Sequence, residues 1–344
     1  MSIRNTSSGT EPAKLERPAA AASWRTRLSW LSGLLVLAAV VTVALHFTEL
    51  ERFVELARNA HPAWLLGGLA LQSVTYFAAA GVWWVPLRRR TQHPSYLSLI
   101  PMGLAKLFTD QALPTGGIGG TILVVQGLVR RRVPSGIAMS TLLLGMTSYY
   151  TAYAVAVAAA LARMHSEGLL DGAVLAGAAG FACIVVAVPV AVLSMRRFMH
   201  RWPFTLAARI PALTVLLEAM HEARLQPRHD WAPFLASAAL QLGVFALDAA
   251  TLWVALRAVG SGASPTVAFV AFMLASVAAT IGPMPLGLGT FEAASVAALH
   301  LQGQPLAVAL TATLLLRGMT FWLPMLPGLI LARREVAGHK DTAR

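Results

Sequence analysis

The chain has 344 residues, of which 57% are hydrophobic and only 12% charged, with a formal net charge of +12. A soluble domain carries about a quarter charged residues, so this composition excludes a soluble globular protein. The apolar runs are continuous and about twenty residues long, which reads as helical spans and not as the short alternating strands of a barrel. The positive charge does not imply a nucleic-acid partner, because it sits in short loops between spans. The single cysteine, Cys183, rules out an intramolecular disulfide and a thiolate metal site.

Residues 1–29 are polar and rich in Ala, Pro and Ser, and read as a disordered cytoplasmic tail. Residues 30–333 read as a single transmembrane domain, and 334–344 as a second cytoplasmic tail. Six full spans are expected, over Trp30–Phe47, Pro62–Leu87, Pro134–Leu161, Gly172–Leu193, Trp231–Arg257 and Pro305–Ala332. Glu49–Ala60 reads as a short interfacial helix. In the longest loop, Leu213, Leu216, Leu217 and Met220 share one helical face, the spacing of a helix lying on the membrane surface.

Two apolar segments do not fit simple spans. Residues 96–129 contain Lys106 and Asp110 and are broken by Pro114-Thr115-Gly116-Gly117-Ile118-Gly119-Gly120. Residues 266–301 are broken by Pro283-Met284-Pro285-Leu286-Gly287-Leu288-Gly289, followed at once by Glu292. Proline removes backbone donors and glycine favours unwinding, and inside a membrane protein such breaks line a cavity instead of facing lipid. Both segments read as re-entrant helical hairpins, because their second arms are too short to span.

With the N-terminus inside, 21 of the 27 Lys and Arg residues fall on the cytoplasmic side and four (Arg52, Arg58, Arg163, Arg257) on the other. Lys106 and Arg317 lie within apolar segments. The positive-inside rule therefore puts both termini in the cytoplasm. The hairpins then enter from opposite faces. They also echo one another: Pro114-x-Gly116 and Pro285-x-Gly287 are 171 residues apart, as are Pro134 and Pro305. Thr141–Thr147 resembles Thr313–Thr320 with Arg317 inserted. Inverted repeats with broken helices are a transporter signature. The fold class expected is thus all-α and polytopic, with six spans and two hairpins in inverted repeats.

The leading site candidates are Glu292 and Arg317, at mid-depth in adjacent elements. A lone charge at the bilayer centre costs about 2.5–3.5 kcal/mol on insertion scales, so a partner is expected. The pair reads equally as a structural clamp or as a head-group site, with Arg317 on a lipid phosphate and Glu292 on a cationic group or a proton. Pro114, Gly116, Pro285, Gly287 and Gly289 permit unwound backbone and aim half-helix N-termini at the midplane, which suits a phosphate, or simply let the hairpins fold tightly. Lys106 and Asp110, spaced i,i+4, read first as a self-neutralising pair. Asp248 has no sequence-local partner; bonding to Arg317 or Lys106, protonation, and a proton-relay role all remain open. Tyr149 and Tyr150 read as packing residues. No catalytic motif, metal-ligand spacing or nucleotide-binding loop is present in the sequence, so neither enzyme activity nor a cofactor is expected.

The proline/glycine break, then Glu292, then a long span carrying Leu316-Arg317 resembles the lysylphosphatidylglycerol synthase transmembrane, or flippase-like, family. The stretch from Pro114 to Gly120 followed by a basic patch is similar to the family's other motif. The resemblance covers roughly residues 25–335. In the best-known members this module is joined to a soluble aminoacyl-transfer domain and moves the charged lipid product between leaflets. No such domain is expected here, so aminoacyl transfer is not carried over. The first hairpin also departs from the pattern, with Gly119-Gly120-Thr121 where a charged residue would stand. The resemblance implies a bacterial inner-membrane protein that moves a polar lipid, such as an anionic or aminoacylated phospholipid. Two alternatives stay open: an ion-coupled small-molecule transporter, and a non-transporting partner of a lipid or envelope biosynthesis enzyme. Oligomeric state is not legible.

Overall fold

The computed structural model describes residues 58–88, 94–112, 118–168, 231–281 and 289–331, together with Glu55 and parts of 172–183. The span expected over 30–47, the surface helix expected around 213–222, both tails, and residues 113–117 and 282–288 of the two proline/glycine breaks lie outside the described residues. So do most of the interfacial helix and of the 172–193 span.

The described elements are helical throughout: α1 (Pro62–Leu87), α2 (Tyr96–Ala112), α3 (Ile118–Arg130), α4 (Ser135–Ser166), α5 (Trp231–Ala258), α6 (Pro265–Ile281), α7 (Thr290–Leu301) and α8 (Leu306–Arg317). A π-helical turn, Gly318–Trp322, continues α8 as far as Leu331. Among the described residues four helices are long and apolar enough to cross a membrane: α1, α4, α5 and Leu306–Leu331. Helices α2, α3 and α6 are apolar but shorter.

Helices α1 and α5 pack antiparallel. Trp64 meets Trp253 edge-on at 5.8 Å, the N–H of His61 donates to the carbonyl of Ala258, and far along the pair the Ser237 hydroxyl donates to the carbonyl of Val82 at 3.3 Å. Lipid tails give no hydrophobic drive between helices, so close approach over small residues carries the association. Gly67 and Gly68 face Val254, and Gly81 faces Leu240.

Each pair of short helices folds back on itself. At the open end of α2–α3 the Arg131 guanidinium donates to the carbonyl of Ser98 at 3.1 Å, while Gly127 abuts Met102. At the open end of α6–α7 the Gln302 amide donates to the carbonyl of Val267 at 3.4 Å, and Ser261 donates to Gln304 at 2.7 Å. The two open ends lie at opposite ends of α1. Tyr96, which begins α2, packs on Trp84 near the C-terminus of α1. The loop leading into α6 follows Ala258, which is bonded to His61 at the N-terminus of α1.

The 171-residue echo has a backbone counterpart. Val133 N–H bonds to Leu128 C=O at 3.1 Å, and Gln304 N–H to Leu299 C=O at 3.0 Å. Arg132 N–H bonds to Val129 C=O at 2.9 Å, and Gly303 N–H to His300 C=O at 2.9 Å. Arg132 (φ 63°) and Gly303 (φ 84°) both take the left-handed conformation. Pro134 (φ −55°, ψ 141°) and Pro305 (φ −58°, ψ 142°) then open α4 and α8 with matching backbones. Each of these pairs is 171 residues apart. The insertion read at Arg317 also has a counterpart: the π turn starts at the next residue, and a π turn holds one more residue than an α turn.

Candidate functional site

Gly289 precedes α7 with φ 82° and ψ −43°, a conformation that side-chain-bearing residues rarely adopt. Its N–H donates to Glu292 Oε2 at 2.7 Å. This is one half of a capping box, the half in which the N3 glutamate reaches back to the cap residue; glycine has no side chain to supply the other. A carboxylate there also meets the positive end of the helix dipole.

The second carboxylate oxygen, Oε1, accepts from Arg317 Nε at 2.6 Å, with the two side chains 21% and 13% exposed. The guanidinium lies between two rings, its carbon 4.7 Å from the centroid of Phe291 and 4.9 Å from that of Phe321. Arginine presents five N–H donors in a fixed fork. Its Nη2 is buried and has no hydrogen-bond partner among the described residues. Phe321, four residues on from Arg317 and within the π turn, lies against the guanidinium. One turn away from the pair, the Ser295 and Thr313 hydroxyls are bonded at 2.9 Å, both fully buried, and tie α7 to α8.

A second polar group lies in the α1–α5 interface. Gln72 Nε2 donates to Asp248 Oδ1 at 3.0 Å and to Thr251 Oγ1 at 2.9 Å. Among the described residues Asp248 bonds neither Arg317 nor Lys106, and its hydrogen-bond partner is the Gln72 amide. Arg317 is bonded instead to Glu292 on the preceding helix, and Gln72 stands opposite Asp248. The Tyr76 hydroxyl, one turn from Gln72 and within electrostatic reach of Asp248, is buried without a hydrogen-bond partner among the described residues.

The remaining candidates fall as follows. Lys106 sits half-buried on α2. The Asp110 side chain, and with it the i,i+4 pairing, lies outside the described residues, as do Pro114, Gly116, Pro285 and Gly287. Tyr149 packs on Tyr150, Tyr153 and Phe245 at ring distances of 5.4, 5.7 and 5.5 Å, which is aromatic packing as the sequence suggested. Sequence reasoning missed Gln72, Phe291, Ser295, Thr313 and Phe321. Two signals were available. Gln72 is a lone amide in an apolar span. Ser295, Thr313 and Phe321 stand one helical turn from Glu292 or Arg317.

The described helices are apolar, and a part-buried ion pair joins the N-terminus of α7 to the end of α8. The family model described as the lysylphosphatidylglycerol synthase TM region matches residues 30–328. The chain belongs to that family. No curated protein matches it. Family membership together with the four long apolar helices makes this a multi-pass membrane protein related to lipid handling.

Proposed function

We propose that this family member moves a polar lipid between the leaflets of the bacterial inner membrane, and that Arg317 and Glu292 receive its head group. The observation that carries the reading is the spare valence of Arg317. Its Nε is held by Glu292, two rings fix the guanidinium plane, and Nη2 is left buried without a partner among the described residues. A buried donor left unpaired is costly, and a phosphate oxygen would satisfy it with a charge-assisted bond. Glu292 prevents the site from being a bare cation, so an arriving phosphate has to share the guanidinium or displace the carboxylate. Such a site binds weakly enough to release its lipid. In this reading the short helix pairs are re-entrant hairpins entering from opposite faces, the N- and C-termini are cytoplasmic, and the full complement is six spans.

The test is reconstitution into liposomes containing fluorescently labelled phosphatidylglycerol, scored for its accessibility to a membrane-impermeant quencher. Wild-type protein is expected to expose inner-leaflet label. Glu292→Gln and Arg317→Ala are each expected to abolish that exposure while the protein stays folded. Both variants moving lipid at the wild-type rate would overturn the reading.

A further inference from the structure

The polar group in the α1–α5 interface is separate from the Glu292–Arg317 pair and has no part in the reading above. Its hydrogen bonds fix its chemistry. The Thr251 hydroxyl has one hydrogen, and it is donated to the carbonyl of Leu247 at 2.8 Å. Thr251 Oγ1 therefore acts as acceptor toward Gln72. That requires the Gln72 atom facing it to be the NH2 end, which settles an amide orientation that is otherwise ambiguous. The other hydrogen of the same nitrogen goes to Asp248 Oδ1. Gln72 is 4% exposed and Thr251 fully buried, so this arrangement is held by packing and is not a surface rotamer. The carboxylate thus faces a donor, with a second hydroxyl, Tyr76, buried and unpartnered among the described residues one turn along α1.

Among the described residues no cation balances it. The groups facing Asp248 from each packed element are few. On α1 the titratable one is Tyr76, and on α4 it is Tyr149, beside Tyr150 and Tyr153. Helix α6 carries no titratable residue, and on α8 the only one is Arg317, which is bonded to Glu292. Among the described residues Asp248 is in no ion pair. A metal cation is a poor match, since it needs a shell of oxygen acceptors and here at least one neighbour presents hydrogens. A proton fits. Ionised Asp248 accepts from Gln72, and the Tyr76 hydroxyl, unpartnered among the described residues, is a nearby group able to donate to it. Once protonated, Asp248 carries an O–H of its own, for which a hydroxyl oxygen is an acceptor.

We propose that Asp248, positioned by Gln72 and Thr251 and assisted by Tyr76, is the proton-binding site that couples this protein to the transmembrane proton gradient. A proton enters from water on one side, binds the carboxylate and leaves to the other; no covalent bond to carbon changes. The link to the lipid site runs along α1. One turn before Gln72, Gly68 lies against Met319, two residues past Arg317 in the π turn. Neutralising Asp248 loosens the Gln72 bond and lets α1 shift against that turn. The coupling role rests on the transport reading; the protonation itself does not.

The experiment therefore has two arms on the full-length protein. In the first, purified protein in nanodiscs is titrated with pH and followed by infrared difference spectroscopy of carboxyl groups. A protonating carboxyl band is expected in wild type, lost in Asp248→Asn, retained in Glu292→Gln, and shifted in its pH midpoint in Tyr76→Phe. Identical difference spectra for wild type and Asp248→Asn would overturn the proposal, whatever the protein transports. Tyr76→Phe serves if Asp248→Asn does not fold: an unshifted midpoint then overturns the role of the cluster. In the second arm, liposomes with labelled phosphatidylglycerol are given a pH gradient or a sodium gradient. Stimulation by the pH gradient, lost in Asp248→Asn, supports coupling; stimulation by sodium alone refutes it. No lipid movement under either gradient refutes the transport reading and the coupling with it, and leaves the infrared result to decide protonation.

Discussion

The Glu292–Arg317 pair permits a prediction with an asymmetry built in. Glu292→Gln keeps an oxygen that can accept from the Gly289 N–H, so the cap of α7 survives and the ion pair alone is removed. What remains is a guanidinium 13% exposed with no anionic partner. Removing one member of a buried pair costs about 3–5 kcal/mol, and with Glu292 itself partly exposed the lower end applies, about 3 kcal/mol. Arg317→Met leaves the opposite orphan, a carboxylate still holding the Gly289 N–H at a helix N-terminus. Losing that charge-assisted bond is worth about 1.5–3 kcal/mol, offset by the apolar methionine filling the space between Phe291 and Phe321. Glu292→Gln is therefore the more damaging single change. The double variant should be little worse than Arg317→Met, giving a coupling energy above about 1 kcal/mol. The assay is reversible unfolding in mixed micelles titrated with a denaturing detergent, read by tryptophan fluorescence. Additivity of the two single effects within about 0.5 kcal/mol, or Arg317→Met being the worse of the two, would refute this account of the pair.

Two further predictions use the same assay. A Cβ at Gly328 would lie 2.8 Å from Phe108 Cβ and 3.0 Å from the Leu104 carbonyl oxygen, neither of which can move freely, so Gly328→Ala is expected to destabilise by about 1–3 kcal/mol. Gly68→Ala, whose close contacts at 2.6 and 3.1 Å are with the flexible Met319 end, should cost less; the reverse order would mean the last helix does not pack on α2 through Gly328. At the repeated turn, Arg132→Gly should stabilise by up to about 1 kcal/mol by relieving the left-handed residue, and Gly303→Ala should destabilise by about as much. Equal and opposite shifts in unfolding midpoint would confirm that the two turns share one backbone; no response at either position would refute it.

How much of this was readable in the chain depends on the range of the interaction involved. The all-helical membrane character follows from composition and run length, because in lipid a backbone must satisfy its own hydrogen bonds and a helix does so locally. The short helix pairs and the bounding prolines follow from local rules for Pro and Gly, and the register insertion at Arg317 showed in the repeat, whereas the π turn there showed only in the structure. The Glu292–Arg317 partnership was legible because a charge at that depth needs a partner and the two stand on consecutive helices, only 25 residues apart. The partner of Asp248 was not. Gln72 lies 176 residues away, and nothing in local periodicity selects one polar residue of α1 over any cation elsewhere in the chain. Which faces meet is decided by where Gly67, Gly68 and Gly81 let two backbones approach, and that is a property of the packed pair. The sequence by itself determined that charges would sit among the helices of a helical membrane protein. Only the tertiary structure decided which of those charges is paired with a cation and which is left facing an amide and a tyrosine, because the choice is made by side chains meeting across helices far apart in the chain.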